Sequence, residues 1–153
     1  KQKKLKYNYF GYENDKNFIS IGLKFFPELK KKYKLTNIEK VKFKNCDVSI
    51  VSAVLEHLEF PFLTLEKILK STKKMILLRT FCGKKNIKKL YYNRDYVAKP
   101  YYINQYRIKY LKKIFRKYGF SKINIISDKA TNMRLLEVYP TIKRKFYILQ
   151  GLK

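Results

Sequence analysis

The sequence predicts an α/β domain built on a mostly parallel sheet, and three observations carry that expectation. Runs of β-branched or apolar residues at 48–52 (VSIVS) and 75–78 (MILL) have the composition of buried strands. Residues 61–69 and 103–118 instead repeat their apolar positions with a helical period. Strand and helix signals therefore alternate, the order in which helices cross over between parallel strands.

Residues 5–12 (LKYNYFGY) are aromatic-rich and partly alternating, as a strand would be, and Glu13, Asn14 and Asp15 then form a turn with helix-start character. The spacing predicts a helix over 17–26, with Phe18, Ile21 and Phe25 on one face and Pro27 at its exit. After a run of cations, residues 35–40 (LTNIEK) read as a short strand or strand end. Pro61 occupies a first helical turn, and Leu65, Ile68 and Leu69 supply the stripe behind it. Residues 82–99 lack periodicity, and 82–104 are expected to form an insertion or lid. In the helix expected over 103–118, Ile108, Leu111, Ile114, Phe115 and Tyr118 fall on one side, while Lys109, Lys112, Lys113, Arg116 and Lys117 fall on the other; Gly119 caps it. Strands at 122–127 (KINIIS) and 145–150 (KFYILQ), joined by a loop containing Pro140, complete the order.

A length of 153 residues suits one domain, and 46% hydrophobic residues exclude a disordered tail despite the net charge of +26. Of the 37 cations only six are Arg, so the charge reads first as a Lys-rich background and second as a patch for nucleic acid or a membrane surface. No apolar run approaches the ~18 residues of a membrane span. Two distant cysteines, Cys46 and Cys82, and the absence of a signal-peptide pattern predict a cytoplasmic protein with reduced thiols. The chain starts at Lys1 and is expected to be a fragment.

Several chemistries lack their residues. His57 is the single histidine and the cysteines have no close C-x-x-C spacing, so no metal site is expected. There is no G-x-S-x-G elbow, and the five glycines are isolated, so neither a triad hydrolase nor a phosphate-cradling loop is expected. Strand ends remain. Ligands of open α/β sheets bind beyond the carboxyl ends of strands, where the expected order places Glu13, Asn37 with Ile38, and residues 54–57.

Around these positions the chain resembles class I S-adenosylmethionine-dependent methyltransferases of the broad small-molecule type. The resemblance rests on YFGYEND at 9–15, LTNIEKVKF at 35–43 and, above all, DVSIVSAVLEHLEFP at 47–61, followed by a helix and MILLRTF at 75–81. KYGF before KINIIS and the closing FYILQGLK extend it to the last residues. It implies a Rossmann-like sheet with an antiparallel last strand, running from the family's second strand onward. The family's first strand and glycine-rich loop have no counterpart in this sequence.

The resemblance further implies S-adenosylmethionine as cofactor, with Glu13 on the ribose hydroxyls, Asn37 and Ile38 on the adenine, and Val54 and Leu55 bordering the methyl-transfer site. Glu56 and His57 are the catalytic candidates, His57 as acceptor base. Arg79, Thr80, Tyr101, Tyr102 and Gln105 are expected around a small-molecule acceptor. Asn37 departs from the acid usual in the family, although an amide oxygen still accepts from an adenine amino group. Two alternatives stay open: a basic nucleic-acid-binding module in which Lys and Tyr meet phosphates and bases, and a non-catalytic remnant of the fold.

Overall fold

The computed structural model describes residues 7–92, 100–132, 134–139 and 142–153. They divide into two compact units, one ending at Lys42 and the other beginning at Phe43.

In the first unit, β1 (Gly11–Glu13) pairs in parallel with β2 (Tyr33–Leu35), Glu13 standing opposite Leu35. Parallel strands need a crossover, which α1 (Lys16–Phe25) provides. It starts where it does because the Asp15 carboxylate accepts the Asn17 N–H at 2.7 Å, capping the first turn. Two expectations shift here. Residues 7–10 are not in a strand, since pairing with β2 begins only at Gly11, and residues 5 and 6 lie outside the described set. Of residues 35–40 only Leu35 is in a strand; Ile38–Lys40 form a 3-10 turn. Phe18, Ile21 and Phe25 do share the helix, and all three are exposed.

The second unit holds most of the core. Here β3 (Cys46–Ser52), α2 (Pro61–Ser71) and β4 (Thr72–Gly83) form a parallel crossover, Val51 opposite Leu78. Next come a short antiparallel pair, β5 (Leu90–Tyr91) with β6 (Tyr101–Tyr102), and then β7 (Tyr106–Arg107), which runs parallel to the end of β4. Helix α3 (Ile108–Lys117) leads to β8 (Lys122–Ile126), β9 (Leu135–Tyr139) and β10 (Ile142–Leu152). The sheet order is β3-β4-β10-β8, and β10 opposes both of its neighbours. The sheet is thus mixed rather than mostly parallel, because every pairing made by β10 is antiparallel.

Apolar side chains from three directions close this core: Leu65 and Leu69 from α2, Ile76 and Leu78 from β4, and Leu111 and Phe115 from α3, all fully buried. Each such side chain contributes about 1.5–3 kcal/mol of transfer free energy. Gly119 ends α3 at φ +85°, which lets the Phe120 N–H reach back to the Phe115 carbonyl at 3.1 Å.

Four sequence expectations need correction in this unit. Residues 48–52 are a strand but not a buried one: β3 is at the edge of the described sheet, Val48 is exposed and Ile50 is 72% exposed. Helix α3 starts at Ile108, not at 103, because residues 103–107 are held by other partners. Cys82 and Gly83 complete β4, with Cys82 in the core, so the excursion begins after them. The loop expected before the last strand contains β9, which pairs with the start of β10; Pro140 lies outside the described residues.

Candidate functional site

The loop after β3 turns sharply. Ala53 sits at φ +54°, a left-handed conformation that costs a non-glycine residue about 1–2 kcal/mol, and its N–H bonds the Arg79 carbonyl at 3.0 Å. Leu55–His57 then form a 3-10 turn. Four consecutive residues of this loop are gripped by the segment at 101–106. The Tyr106 hydroxyl donates to the Leu55 carbonyl at 2.7 Å, and the Asn104 N–H to the Glu56 carbonyl at 2.9 Å. The Asn104 Nδ2 donates to the Leu58 carbonyl at 2.8 Å, and His57 Nδ1 lies 3.0 Å from the Tyr102 carbonyl. A strained turn is thereby fixed by distant chain, as expected of a site that must hold its geometry.

The His57 contact determines a tautomer. A carbonyl oxygen can only accept, so Nδ1 carries the hydrogen, and in the neutral ring the lone pair is on Nε2. The ring is exposed and lies 5.8 Å from the ring of Tyr101. An imidazole in this state can take a proton from a bound molecule.

Glu56 points the other way. It is fully buried, with Oε2 accepting from the Thr80 hydroxyl at 2.8 Å and Oε1 without a hydrogen-bond partner. Burial raises its pKa above 4.5, against the lowering effect of its backbone and Thr80 hydrogen bonds and of the charges of His57 and Arg79. Burial also pushes the Cys82 thiol up to about 12, with the Glu56 charge adding to the effect, and raises the Tyr106 phenol above its usual range. Cys82 is therefore an inert thiol.

The residues expected around an acceptor are dispersed. Arg79 pairs with the buried Asp128 at 3.0 Å, and its guanidinium lies 3.7 Å from the centre of the Phe146 ring. Although burial alone would raise it, Asp128 is held below its usual pKa by the Thr131 hydroxyl and Arg79. Thr80 is buried on Glu56, so it presents no surface. Tyr101 packs among Phe81, Ile103 and Phe146, and Tyr102 offers its carbonyl to His57. Gln105 lies flat on the chain: its Nε2 donates to the Lys85 carbonyl at 3.1 Å, and a Cβ on Gly83 would stand 2.4 Å from that nitrogen. Val54 is half-buried, whereas the Leu55 side chain is buried completely.

Glu13, Asn37 and Ile38 belong to the first unit. Glu13 Oε1 accepts the N–H groups of Asn14 at 2.7 Å and Asp15 at 3.0 Å, so the carboxylate is anchored at the strand end. Asn37 is exposed and caps its 3-10 turn by accepting the Glu39 N–H at 2.9 Å; Ile38 is half-buried beside it. Sequence reasoning missed Asn104 and Tyr106, which organise the Leu55–His57 turn. The one available signal was a pair of amides, Asn104 and Gln105, set between Ile103 and Tyr106. Among the described residues, no group of three His, Cys, Asp or Glu could hold a metal ion, and no helix is long and apolar enough to cross a membrane.

No protein-family model matches the chain, and no curated protein does. Solved structures match its backbone. The N-terminal domain of EvdMO1 with SAH bound aligns at a TM-score of 0.63 and 12% identity, over 94% of this chain and 63% of that one. Magnesium protoporphyrin IX methyltransferase (ChlM) from Synechocystis PCC 6803 with bound SAM aligns at 0.59 and 13%, over 94% and 58%. The fold is a methyltransferase fold. The [4+2]-cyclase SpnF also shares it, at a TM-score of 0.63 and 11% identity over 94% and 66%. A neighbour named as a cyclase shows that this fold alone does not fix the reaction. The chain spans less than two thirds of the length of each of the three structures.

Proposed function

We propose that this chain belongs to an S-adenosylmethionine-dependent methyltransferase acting on a small-molecule acceptor. The observation that carries the reading is the loop after β3: VLEHL, the strongest element of the sequence resemblance, follows the end of a parallel strand and holds an exposed imidazole through Nδ1, leaving Nε2 free to act as a base in the neutral ring. The strand directions support it. We read β1 and β2 as the family's second and third strands, and β3, β4, β8 and β10 as the fourth to the last, all within one partial domain. On this reading β10 is the antiparallel last strand.

The residues present fit the nucleoside end of the cofactor. Glu13 is anchored through Oε1 by its own backbone, a carboxylate set for ribose hydroxyls, and Asn37 with Ile38 supplies an amide and an apolar contact for adenine. The methionine end has no glycine-rich loop in this sequence. When bound, S-adenosylmethionine supplies an electrophilic methyl group on a sulfonium sulfur. The chain's own contribution is alignment, which supplies much of the acceleration in such a reaction, and a base. His57 Nε2 takes the acceptor's proton, and the Tyr102 carbonyl holds the resulting imidazolium through Nδ1. Glu56 and Thr80 act as positioning residues beneath this loop. Val54 borders the transfer site, and Tyr101, Tyr102 and Gln105 shape the acceptor side.

Calorimetric titration of the complete gene product with S-adenosylmethionine tests the reading. Saturable binding that Glu13→Ala weakens at least tenfold is expected; no detectable heat overturns it. A second reading, nucleic-acid binding, is favoured by α3, which carries five cations and no acid. It requires RNA or DNA affinity that falls steeply with salt.

A further inference from the structure

The second unit holds a cleft of about 460 Å³. It opens between the start of α2 and the stretches at 86–88 and 104–106, and of the expected site residues only Gln105 lines it. Its size is that of a small-molecule site.

The walls are apolar and fixed. The Phe62 ring meets Tyr106 edge-on at 5.4 Å and Tyr110 at 4.9 Å, while the Tyr106 hydroxyl is bound to the Leu55 carbonyl. Ile87 and Gln105 exchange two backbone hydrogen bonds of 2.8 Å. The Asn86 side chain accepts the Arg107 N–H at 2.7 Å. A ligand entering such a cleft has little protein left to order.

The mouth is positive. Residues 84–89 (KKNIKK) carry four lysines and no acid, and Glu59 is the one acid lining the cleft. Lys88 is held over two rings, its Nζ 5.4 Å from the centre of Phe60 and 5.1 Å from that of Tyr102, and no carboxylate pairs with it among the described residues. An ammonium resting on aromatic faces is held in place and remains able to pair with an anion.

We infer that the cleft binds a molecule with a flat apolar body and an anionic end, the body against Phe60 and Phe62 and the anion on Lys88. The inference rests on the cleft alone and does not depend on the proposed methyl transfer. Naphthalene-2-carboxylate and its neutral carboxamide are the probes, followed by NMR of methyl-labelled protein. Saturable shifts at Ile87 and Leu63 with a Kd in the millimolar range or tighter are expected for the carboxylate. Lys88→Gln should weaken the carboxylate at least fivefold and leave the carboxamide unchanged, and Phe60→Ala should weaken both. Both side chains are exposed, so the variants should fold. No saturable shift, shifts centred on other methyl groups, or equal binding of both probes regardless of Lys88 overturns the inference. S-adenosylmethionine titrated into the same samples separates the two proposals: heat without probe binding removes only the cleft, and probe binding without heat removes only the cofactor.

Discussion

Two kinds of strand-end loop occur in this protein, and they are held in opposite ways. The loops carrying Glu13 and Asn37 hold themselves: each side chain accepts N–H groups one or two residues away. The loop at 55–58 is held from far along the chain, by Tyr102, Asn104 and Tyr106. A self-capped loop can form wherever its few residues are, but it positions its polar atoms only loosely. A loop clamped at four consecutive residues holds His57 in a defined contact with the Tyr102 carbonyl, and loses that definition if the clamp is cut. The clamped loop is thus suited to chemistry and the self-capped loops to contact.

Cutting the clamp should give the largest effect. Asn104 is 1% exposed; its side chain donates to the Leu58 carbonyl and accepts the Lys89 N–H. Asn104→Ala leaves those partners without it, at about 2–3 kcal/mol. For a chain of this size the melting temperature should fall by roughly 5–10 °C. If calorimetry shows Asn104→Ala to be as stable as a variant of a self-capped loop, the contrast between the two kinds of loop fails.

Much of this was legible in the sequence, and the illegible part has a physical cause. Pro61 and the stripe of Leu65, Ile68 and Leu69 fix α2 because capping and periodicity are local properties. The apolar face of α3 was equally clear from Leu111, Ile114 and Phe115. The VSIVS run, by contrast, looks like a buried strand whether or not a neighbour covers it, and here Ile50 is exposed. Residues 103–107 continue the helical period into α3, yet β7 pairing and the clamp outweigh propensity there. Nor does a Glu between Leu and His announce that it is buried; that depends on Thr80, 24 residues away.

Glu56 provides the next effect, one of pH. Its folded pKa lies above 4.5, so between 4.5 and that higher value the folded chain binds more protons than the unfolded one. Stability contributed by the neutral acid is complete below 4.5 and is lost as pH rises through the folded pKa. Glu56→Gln cannot ionise and should be as stable as the parent at pH 4 but more stable at pH 8. Chemical denaturation at the two pH values checks this, and an advantage for Gln at pH 4 alone would reverse the assignment. No comparable pH dependence is expected from the self-capped Asn37.

The smallest effect separates holding from binding in a self-capped loop. Asn37→Ala removes the acceptor of the Glu39 N–H, which should cost about 0.5–1 kcal/mol, because an exposed cap on a short turn lies at the low end of such effects. Asn37→Asp keeps an oxygen at that position and should leave stability within about 0.5 kcal/mol of the parent. The two variants therefore differ in stability for a purely local reason. If Asn37 also meets the adenine amino group, Asp restores the acid usual in the resembling family and should hold or improve S-adenosylmethionine affinity in the complete gene product, while Ala lowers it several-fold. Were Ala and Asp to bind the cofactor equally despite their difference in stability, Asn37 would be a turn residue alone, and contact with adenine would fall to Ile38 and the backbone.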